Sequence, residues 1–423
     1  MSSDGRSIRR VTLEVPGSKS ITQRALIAAA LAKGESRLQN ALLAEDTHYL
    51  MKALELLGAK ISIEEKEIRI AGTGGWIQAP VEKIFLGNNG TALRFLTTLV
   101  CLGEGIFLLD GTPRLRERPV LPLLQVLRCM GVTIETPENS GCPPLMIKAR
   151  GLPGGRTVFT DLDSSQYVSS LLLSSPYAAR DVKIRLAGRT VSEPYINMTL
   201  QVMEQFGVAV ERQKDNIFFV PAGQSYTARS FVIEGDYSSA SYFFLAAALG
   251  LARVCVPNLT GESVQGDARF LRIIEDLGCT VTWRDGGVEV AGGKLNPGDV
   301  ELAMGDIPDM VPSLAVLAVF RSGRTVITGA SHLRIKESNR LAALAAELGR
   351  IGIAARETAD GLIIDGGDPH GGDIESYDDH RIAMSFAIAG LAIPGIRIAD
   401  RGCVRKSFPG FWEELKKLEP GTR

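Results

Sequence analysis

Six stretches of the chain open on polar or glycine-rich residues and then run into segments so apolar that, as helices, they leave no face for solvent. The first starts at Lys19 with KSITQRALIAAALA. The others are GNNGTALRFLTTLV from Gly87, DSSQYVSSLLLSS from Asp163, GDYSSASYFFLAAALG from Gly235, GDIPDMVPSLAVLAVF from Gly305 and YDDHRIAMSFAIAGLA from Tyr377. With Ser20, Gly90, Ser164, Ser238, Asp309 and His380 as markers, the spacings are 70, 74, 74, 71 and 71 residues. A second, more amphipathic helix follows each marker. Five of these read as ending in glycine, at Gly58, Gly131, Gly207, Gly278 and Gly349, and the sixth is FWEELKKL. After each of those glycines comes a short alternating strand, a polar turn and another strand, as in AKISIEEKEIRIAG and CTVTWRDGGVEVAGG. A six-fold repeat of this length is a folding unit rather than an accident of composition.

At 423 residues the chain exceeds what one core usually fills, so the pattern predicts an α/β protein of two domains with three repeats each. The boundary is expected in the polar passage PAGQSYTARSFVIEG, between the third and fourth repeats. The last repeat runs out without a strand pair, whereas an unpartnered strand opens the chain at Ser7 to Val15. The reading therefore expects that strand to complete the last repeat. One domain would then comprise residues 1–16 and 230–423 and the other residues 17–229, with crossings near Pro16-Gly17 and near Ala228 to Ser230. Two crossings imply a hinge, with helix N-termini lining an active-site cleft between the domains.

Charge narrows the function classes. Lys plus Arg number 47 and Asp plus Glu 48, a net charge of -1, which argues against a nucleic-acid surface. The longest apolar run, Tyr242 to Leu251, is too short for a membrane span. The six cysteines form no CxxC and no metal spacing, so mostly buried thiols in a reducing compartment are expected. The N-terminus MSSDGRSIRRVTLEV has no apolar core of an export signal, and the reading is a soluble cytoplasmic protein.

The candidate chemistry lies at the repeat starts. Ser20 and Arg24 are four apart on one helix face, with Lys19 just ahead beside unpaired N–H groups, an arrangement suited to an anion. Asn88, Arg94, Ser164, Ser165, Gln166, His380 and Arg381 occupy the matching points of later repeats. TPRLRERPV holds Arg114, Arg116 and Arg118; RTVSEPYI holds Ser192 and Tyr195; HLRIKESNRL holds Lys336, Glu337 and Arg340; VRKSFPG holds Lys406, read at the end of a strand. If HLRIKESNRL is helical, Lys336 and Arg340 are one turn apart with Glu337 beside them. Separate groups of arginine and lysine suit two anionic substrates, one with phosphate and one with phosphate and carboxylate. No GxxxxGK[ST], GxGxxG or GxSxG is present, so kinase, dinucleotide and serine-hydrolase readings are weak. GDPHGGD reads as a solvated loop rather than a metal site.

Taken together, PGSKS with Arg24, GNNGTALR, PRLRERP, DSSQ, SEPY, DIPD, IKESNR, DDHR and the lysine before the last helix resemble the motif set of the 5-enolpyruvylshikimate-3-phosphate synthases, from Val15 to Trp412. The resemblance implies a two-domain inverse α/β barrel, each domain three βαβαββ units with pseudo-three-fold symmetry. It implies a monomeric transferase that joins phosphoenolpyruvate to the 5-hydroxyl of shikimate 3-phosphate through a tetrahedral intermediate, the sixth step of the pathway to chorismate. It further implies no metal or organic cofactor, no nucleic acid and no membrane. It assigns Lys19, Ser20, Arg24, Ser164, Ser165, Gln166, Ser192, Tyr195, Asp309 and Lys336 to shikimate 3-phosphate. Phosphoenolpyruvate falls to Lys19, Asn88, Gly90, Arg114, Gln166, Arg340, Arg381 and Lys406, and proton transfer to Lys19, Asp309 and Glu337. Glyphosate would compete with phosphoenolpyruvate, and glyphosate-tolerant members often carry alanine where this chain has Gly90. Two departures are His332, where many relatives carry asparagine, and Phe95, where proline or leucine is usual. The alternatives are the sibling transferase acting on UDP-N-acetylglucosamine, which expects PGSKN and a loop cysteine that residues 108–119 lack, and a non-catalytic repeat scaffold.

Overall fold

The computed structural model describes residues 8–65, 67–284 and 286–419. The residues separate into two compact bodies. The N-terminal body is Gly17–Ile233 with the short segment Ile335–Glu337; the C-terminal body is the chain up to Pro16, Glu234–Arg334 and the chain from Ser338 onward.

Each body is built on three helices enclosed almost all round. In the N-terminal body they are Lys19–Leu31, Gly90–Leu99 and Gln166–Ser174. In the C-terminal body they are Tyr237–Ala248, Val311–Val319 and His380–Ala392. Every residue of Tyr237–Ala248 and of Val311–Val319 is buried, as their unbroken apolar composition requires. Several of the hydroxyls that do occur inside are satisfied within the helices or between them. Thr97 bonds back to the Leu93 carbonyl at 2.7 Å, Thr98 meets Ser170 at 2.6 Å, and Ser241 meets Ser313 at 3.1 Å.

Around these cores lie sheets that repeat one topology. In the third repeat, Gly155–Leu162 runs parallel to Val182–Thr190, which pairs antiparallel with Ile217–Val220, which pairs in turn with Glu211–Gln213. Among the described residues, five of the six repeats have four strands in this order and the last has two, Asp373–Ile374 beside Arg397–Ile398. In this repeat the parallel pair is joined by a crossover through the buried helix Gln166–Ser174, the central antiparallel pair through the second helix Pro194–Gln205, and the outer antiparallel pair by a turn.

The five second helices end on residues with positive φ, as glycine permits. These are Gly58 (φ 111°), Gly131 (99°), Gly207 (83°), Gly278 (108°) and Gly352 (86°). In each, the following N–H reaches back to a carbonyl five residues earlier, as Ala59 does to Leu54 and Ile353 to Leu348, both at 3.0 Å. The fifth helix therefore ends at Gly352, not at Gly349 as the sequence suggested. Gly349 lies within Arg340–Arg350, and the left-handed turn that closes the helix comes three residues later.

The placement of the opening strand also differs from expectation. Of the stretch Ser7 to Val15, Ser7 falls outside the described residues, and Arg10–Thr12 forms the strand. It pairs in parallel with Arg253–Val256 in the fourth repeat, not with the last. Ser230–Val232, assigned by sequence to the domain beginning at 230, pairs instead with Lys33–Gln39 in the first repeat. The strand before the first buried helix and the strand before the fourth have thus exchanged sheets. Two asparagines hold the exchange. Asn258 clamps Val15 through both its backbone groups, accepting from the N–H at 3.2 Å and donating to the carbonyl at 2.6 Å. Asn40, at φ 54°, donates to the Ile233 carbonyl at 2.8 Å. At Gly17 a Cβ would stand 1.8 Å from the Asn40 carbonyl oxygen, so the chain turns there only because no side chain is present.

Candidate active site

In the N-terminal body the charged residues of the repeat starts converge as helices enter the core. The helix at Lys19 begins without a side-chain cap: the Ser18 hydroxyl is buried and meets no partner among the described residues. By contrast, Asn89 caps Gly90–Leu99, accepting from the Ala92 N–H at 2.9 Å, and Asp379 caps His380–Ala392, accepting from the Arg381 N–H at 3.0 Å. Lys19 reaches Asp46 at 3.2 Å. The Asp46 backbone carbonyl accepts from Asn89, which also bonds Gln23, so the first and second repeats lock together beside Asn88 and Gly90.

Arg24 is 1 % exposed, and its hydrogen-bond partners among the described residues are neutral: Thr199 at 2.7 Å, Ser169 at 3.3 Å, and the carbonyls of Ser20 (2.9 Å) and Tyr195 (3.1 Å). Its guanidinium lies 5.2 Å from the Phe95 ring centre and 6.0 Å from that of Tyr195. Phe95 is thus a packing surface for the cation. Burial pushes the Arg24 guanidinium down to about 10. Ser192 is buried with φ 58° at the turn into Pro194–Gln205, and its carbonyl accepts from Tyr195 N–H.

Gln166 accepts from Arg94 at 2.8 Å and donates to Thr91 at 3.0 Å, which joins the third repeat to the second. Ser164 accepts from the Gln166 N–H at 3.3 Å, and Ser165 immediately precedes the helix. Arg118, buried, donates to the Asn88 carbonyl at 3.0 Å and stands 3.6 Å from Glu337. Arg114 donates to the carbonyls of Lys336 and Glu337 at 2.9 and 3.1 Å. Sequence reasoning placed Arg118 in a basic stretch but gave it no role. The geometry puts it against Gly90, where an added Cβ would lie 2.5 Å from its guanidinium carbon.

In the C-terminal body, Asp309 receives Arg340 at 2.9 Å and Arg381 at 2.7 Å. Arg340 also pairs with Asp379 at 2.8 Å, the two being 1 % and 0 % exposed. Arg381 extends to the Tyr242 hydroxyl, whose ionisation burial pushes well up, and to Ser238. Ser238 donates to Asp267, a carboxyl that burial, and then the Asp309 charge, raise to about 7. Asp46, Asp267 and Asp379 were not among the sequence-derived site residues. Asp379, an aspartate directly ahead of an apolar helix, carried the cap signal that could have found it.

Two local expectations are corrected. Lys336 and Arg340 are not one helical turn apart: Ser331–Ile335 is a 3-10 turn, buried at His332, and the helix begins at Arg340 behind its cap Asn339. Lys406 ends the 3-10 turn Gly402–Lys406 rather than a strand, and is buried there. Among the described residues no three His, Cys, Asp or Glu side chains gather as metal ligands, and Asp373 of the GDPHGGD stretch pairs with Arg397. None of their helices is long and apolar enough to cross a membrane.

A family model described as EPSP synthase (3-phosphoshikimate 1-carboxyvinyltransferase) matches residues 6–415. The chain belongs to the EPSP synthase family. It is 44 % identical over 414 residues to the 3-phosphoshikimate 1-carboxyvinyltransferase of Syntrophobacter fumaroxidans, covering 97 % of each chain. With that of Nostoc punctiforme it shares 44 % over 409 residues, 96 % of each. The solved EPSP synthase of Acinetobacter baumannii superposes with a TM-score of 0.80 at 28 % identity, over 98 % of this chain and 97 % of that one. As an EPSP synthase the chain is a transferase of the shikimate pathway, moving the enolpyruvyl group of phosphoenolpyruvate to shikimate 3-phosphate. The repeated α/β units with buried helices agree with the inverse barrel expected of that family.

Proposed function

We propose that residues of both bodies serve this one transfer. Shikimate 3-phosphate is held by Lys19, Ser20, Arg24, Ser164, Ser165, Gln166, Ser192, Tyr195, Asp309 and Lys336. Phosphoenolpyruvate is held by Lys19, Asn88, Gly90, Arg114, Gln166, Arg340, Arg381 and Lys406. The observation that carries the first assignment is Arg24, a buried cation surrounded only by hydroxyls, carbonyls and rings; an incoming phosphate or carboxylate would supply its counter-charge. The uncapped helix start at Lys19 supports the same placement.

The reaction adds the 5-hydroxyl of the shikimate ring to C2 of phosphoenolpyruvate. The hydroxyl loses its proton to a base, the methylene carbon gains one, and a tetrahedral intermediate results. Reversal of the carbon protonation then expels phosphate and restores the double bond. Lys19, Asp309 and Glu337 move these protons, and the arginines stabilise the charge on the intermediate and on departing phosphate. Glyphosate competes for the phosphoenolpyruvate positions. The protein works as a cytoplasmic monomer.

The test is to mix the protein with shikimate 3-phosphate and phosphoenolpyruvate and follow phosphate and the enolpyruvyl product. Release that requires both substrates supports the reading. Silence with this pair and turnover with UDP-N-acetylglucosamine would replace it by the sibling transfer, and silence with both would leave a scaffold.

A further inference from the structure

The outer face of the third repeat carries a second set of cations that no step of the transfer uses. Arg156 on strand Gly155–Leu162 is in register with Lys183 on strand Val182–Thr190, and Arg185 follows two residues on, so the three side chains share one face. Strand geometry spaces them about 5 Å across the ladder and about 7 Å along it. Helix Leu121–Cys129 of the second repeat runs beside this face and leaves a groove of about 710 Å³ between them.

The groove has two characters. Its apolar wall includes Val126 from the helix with Val158 and Ile217 from the sheet, and Val158 is half exposed. Its cationic wall lacks an internal partner: none of Arg156, Lys183 and Arg185 forms an ion pair or hydrogen bond with a carboxylate among the described residues. Glu211 shares their face, but it stands opposite Phe219, two strands and about 10 Å from Lys183. Some exposed cations of this body are paired, as Lys148 is with Glu135 and Arg212 with Glu193, and others such as Lys52 and Lys60 stand singly among the described residues; Arg156, Lys183 and Arg185 differ in lining one groove together.

We propose that this groove is a binding site, distinct from the substrate residues, for a small organic dianion with an apolar ring. The ring would cover Val158 and Ile217, and its two anionic groups would meet the cations at the spacing the ladder sets. Bare phosphate offers no ring and a monocarboxylate only one charge, so both should bind more weakly.

Cys129 lines the groove and is exposed, whereas Cys101, Cys255, Cys279 and Cys403 are buried. Its alkylation by iodoacetamide, mapped by peptide mass spectrometry on the whole protein, therefore reports occupancy. Benzene-1,3-dicarboxylate at about ten times its Kd should slow labelling of Cys129 about tenfold. Benzoate and inorganic phosphate at the same concentration should protect less, and saturating shikimate 3-phosphate should leave the protection unchanged. The double variant Lys183→Glu, Arg185→Glu should lose it while still releasing phosphate from the two substrates; Lys183→Gln, Arg185→Gln serves if charge reversal disturbs folding. No protection, equal protection by phosphate, protection that survives in the variants, or protection abolished by shikimate 3-phosphate would each overturn the proposal.

Discussion

Arg24 in the N-terminal body and Arg340 in the C-terminal body are both 1 % exposed at the entry to a buried helix layer, yet they are held in opposite ways. Arg340 sits between two carboxylates, Asp309 and Asp379. Arg24 has hydroxyls, carbonyls and two aromatic rings. A buried cation with its counter-charge built in is part of the framework, because removing either partner strands the other. One without a built-in counter-charge bears a desolvation penalty that an anionic ligand relieves, so its value appears on binding. The two halves of the repeat thus use the same side chain for different ends.

Breaking the paired arrangement should have the largest effect. Asp379→Asn takes from buried Arg340 one of its two carboxylates, leaving only Asp309, weakens the cap on Arg381 N–H and disturbs Ser338, which donates to the same carboxylate at 2.9 Å. Urea unfolding should show a loss of about 3–5 kcal/mol. Arg24→Met removes a cation but leaves no carboxylate alone, and Thr199, Ser169 and the Tyr195 carbonyl already bond one another. Its stability should fall by no more than about 2 kcal/mol, whereas affinity for shikimate 3-phosphate should drop on the order of a hundredfold. Equal stability losses in the two variants would erase the distinction.

The proton-moving residues sharpen it on the kinetic side. Lys19→Met and Glu337→Gln should each lower kcat on the order of a hundredfold, with smaller changes in KM, if the groups act in the transition state. Asp309→Asn should differ from both. Because Asp309 joins Arg340 and Arg381, its amide should lower stability as well as turnover. Near-normal turnover in all three would remove these residues from the chemistry.

The repeats were legible because each rests on a local, redundant signal: a helix apolar on all sides, then an amphipathic helix, then glycine. The sheet that receives each first strand was not. Arg10–Thr12 and Ser230–Val232 are three-residue strands of similar pattern, and their exchange is decided by contacts more than 190 residues apart, at Asn40 with Ile233 and Asn258 with Val15. The cations at the repeat starts stood out in the same way, as unusual residues at a repeated point. Their acidic partners did not: Asp46 and Asp267 look like ordinary first-turn or loop aspartates until the fold closes around them, and the cap signal at Asp379 says nothing of its pairing with Arg340. Lys336 and Arg340 misled for a related reason: their spacing suits a helix, but Asn339 caps that helix and excludes Lys336 from it.

Asp267 gives the comparison a pH dependence. Its carboxyl is raised from 3.8 to about 7 by burial and by Asp309. Between those values the unfolded chain has released the proton and the folded protein still holds it, so stability falls as pH rises, by up to about 1.4 kcal/mol per pH unit, and is level above the folded pKa. Arg24 acts in the other range: with its folded pKa lowered to about 10, its penalty is fully present below that pH and eases only above it. Asp267→Asn should therefore flatten the stability profile between pH 5 and pH 7, read from unfolding midpoints, and leave the profile above pH 8 parallel to wild type. An unchanged slope in the variant would assign it to another group.

Gly90→Ala should have the smallest effect on the fold and a selective one on ligands. Alanine gains up to about 1 kcal/mol over glycine inside a helix, although Gly90 is its first residue and the gain is smaller there. Against this, the new methyl would stand 2.5 and 2.6 Å from the Arg118 guanidinium and 2.8 Å from an Arg94 nitrogen. These are the far ends of flexible side chains, so they move, at the expense of the Arg118 bond to the Asn88 carbonyl and the Arg94 bond to Gln166. Net stability should shift by less than about 1 kcal/mol. Under the proposed assignment Asn88, Gly90 and Gln166 contact phosphoenolpyruvate, so the displacement should raise its KM. Glyphosate, the longer zwitterion, should lose more. Inhibition titrations of both proteins at fixed shikimate 3-phosphate separate the outcomes: an inhibition constant that rises further than KM locates the inhibitor against this helix start, and an unchanged constant removes Gly90 from the site.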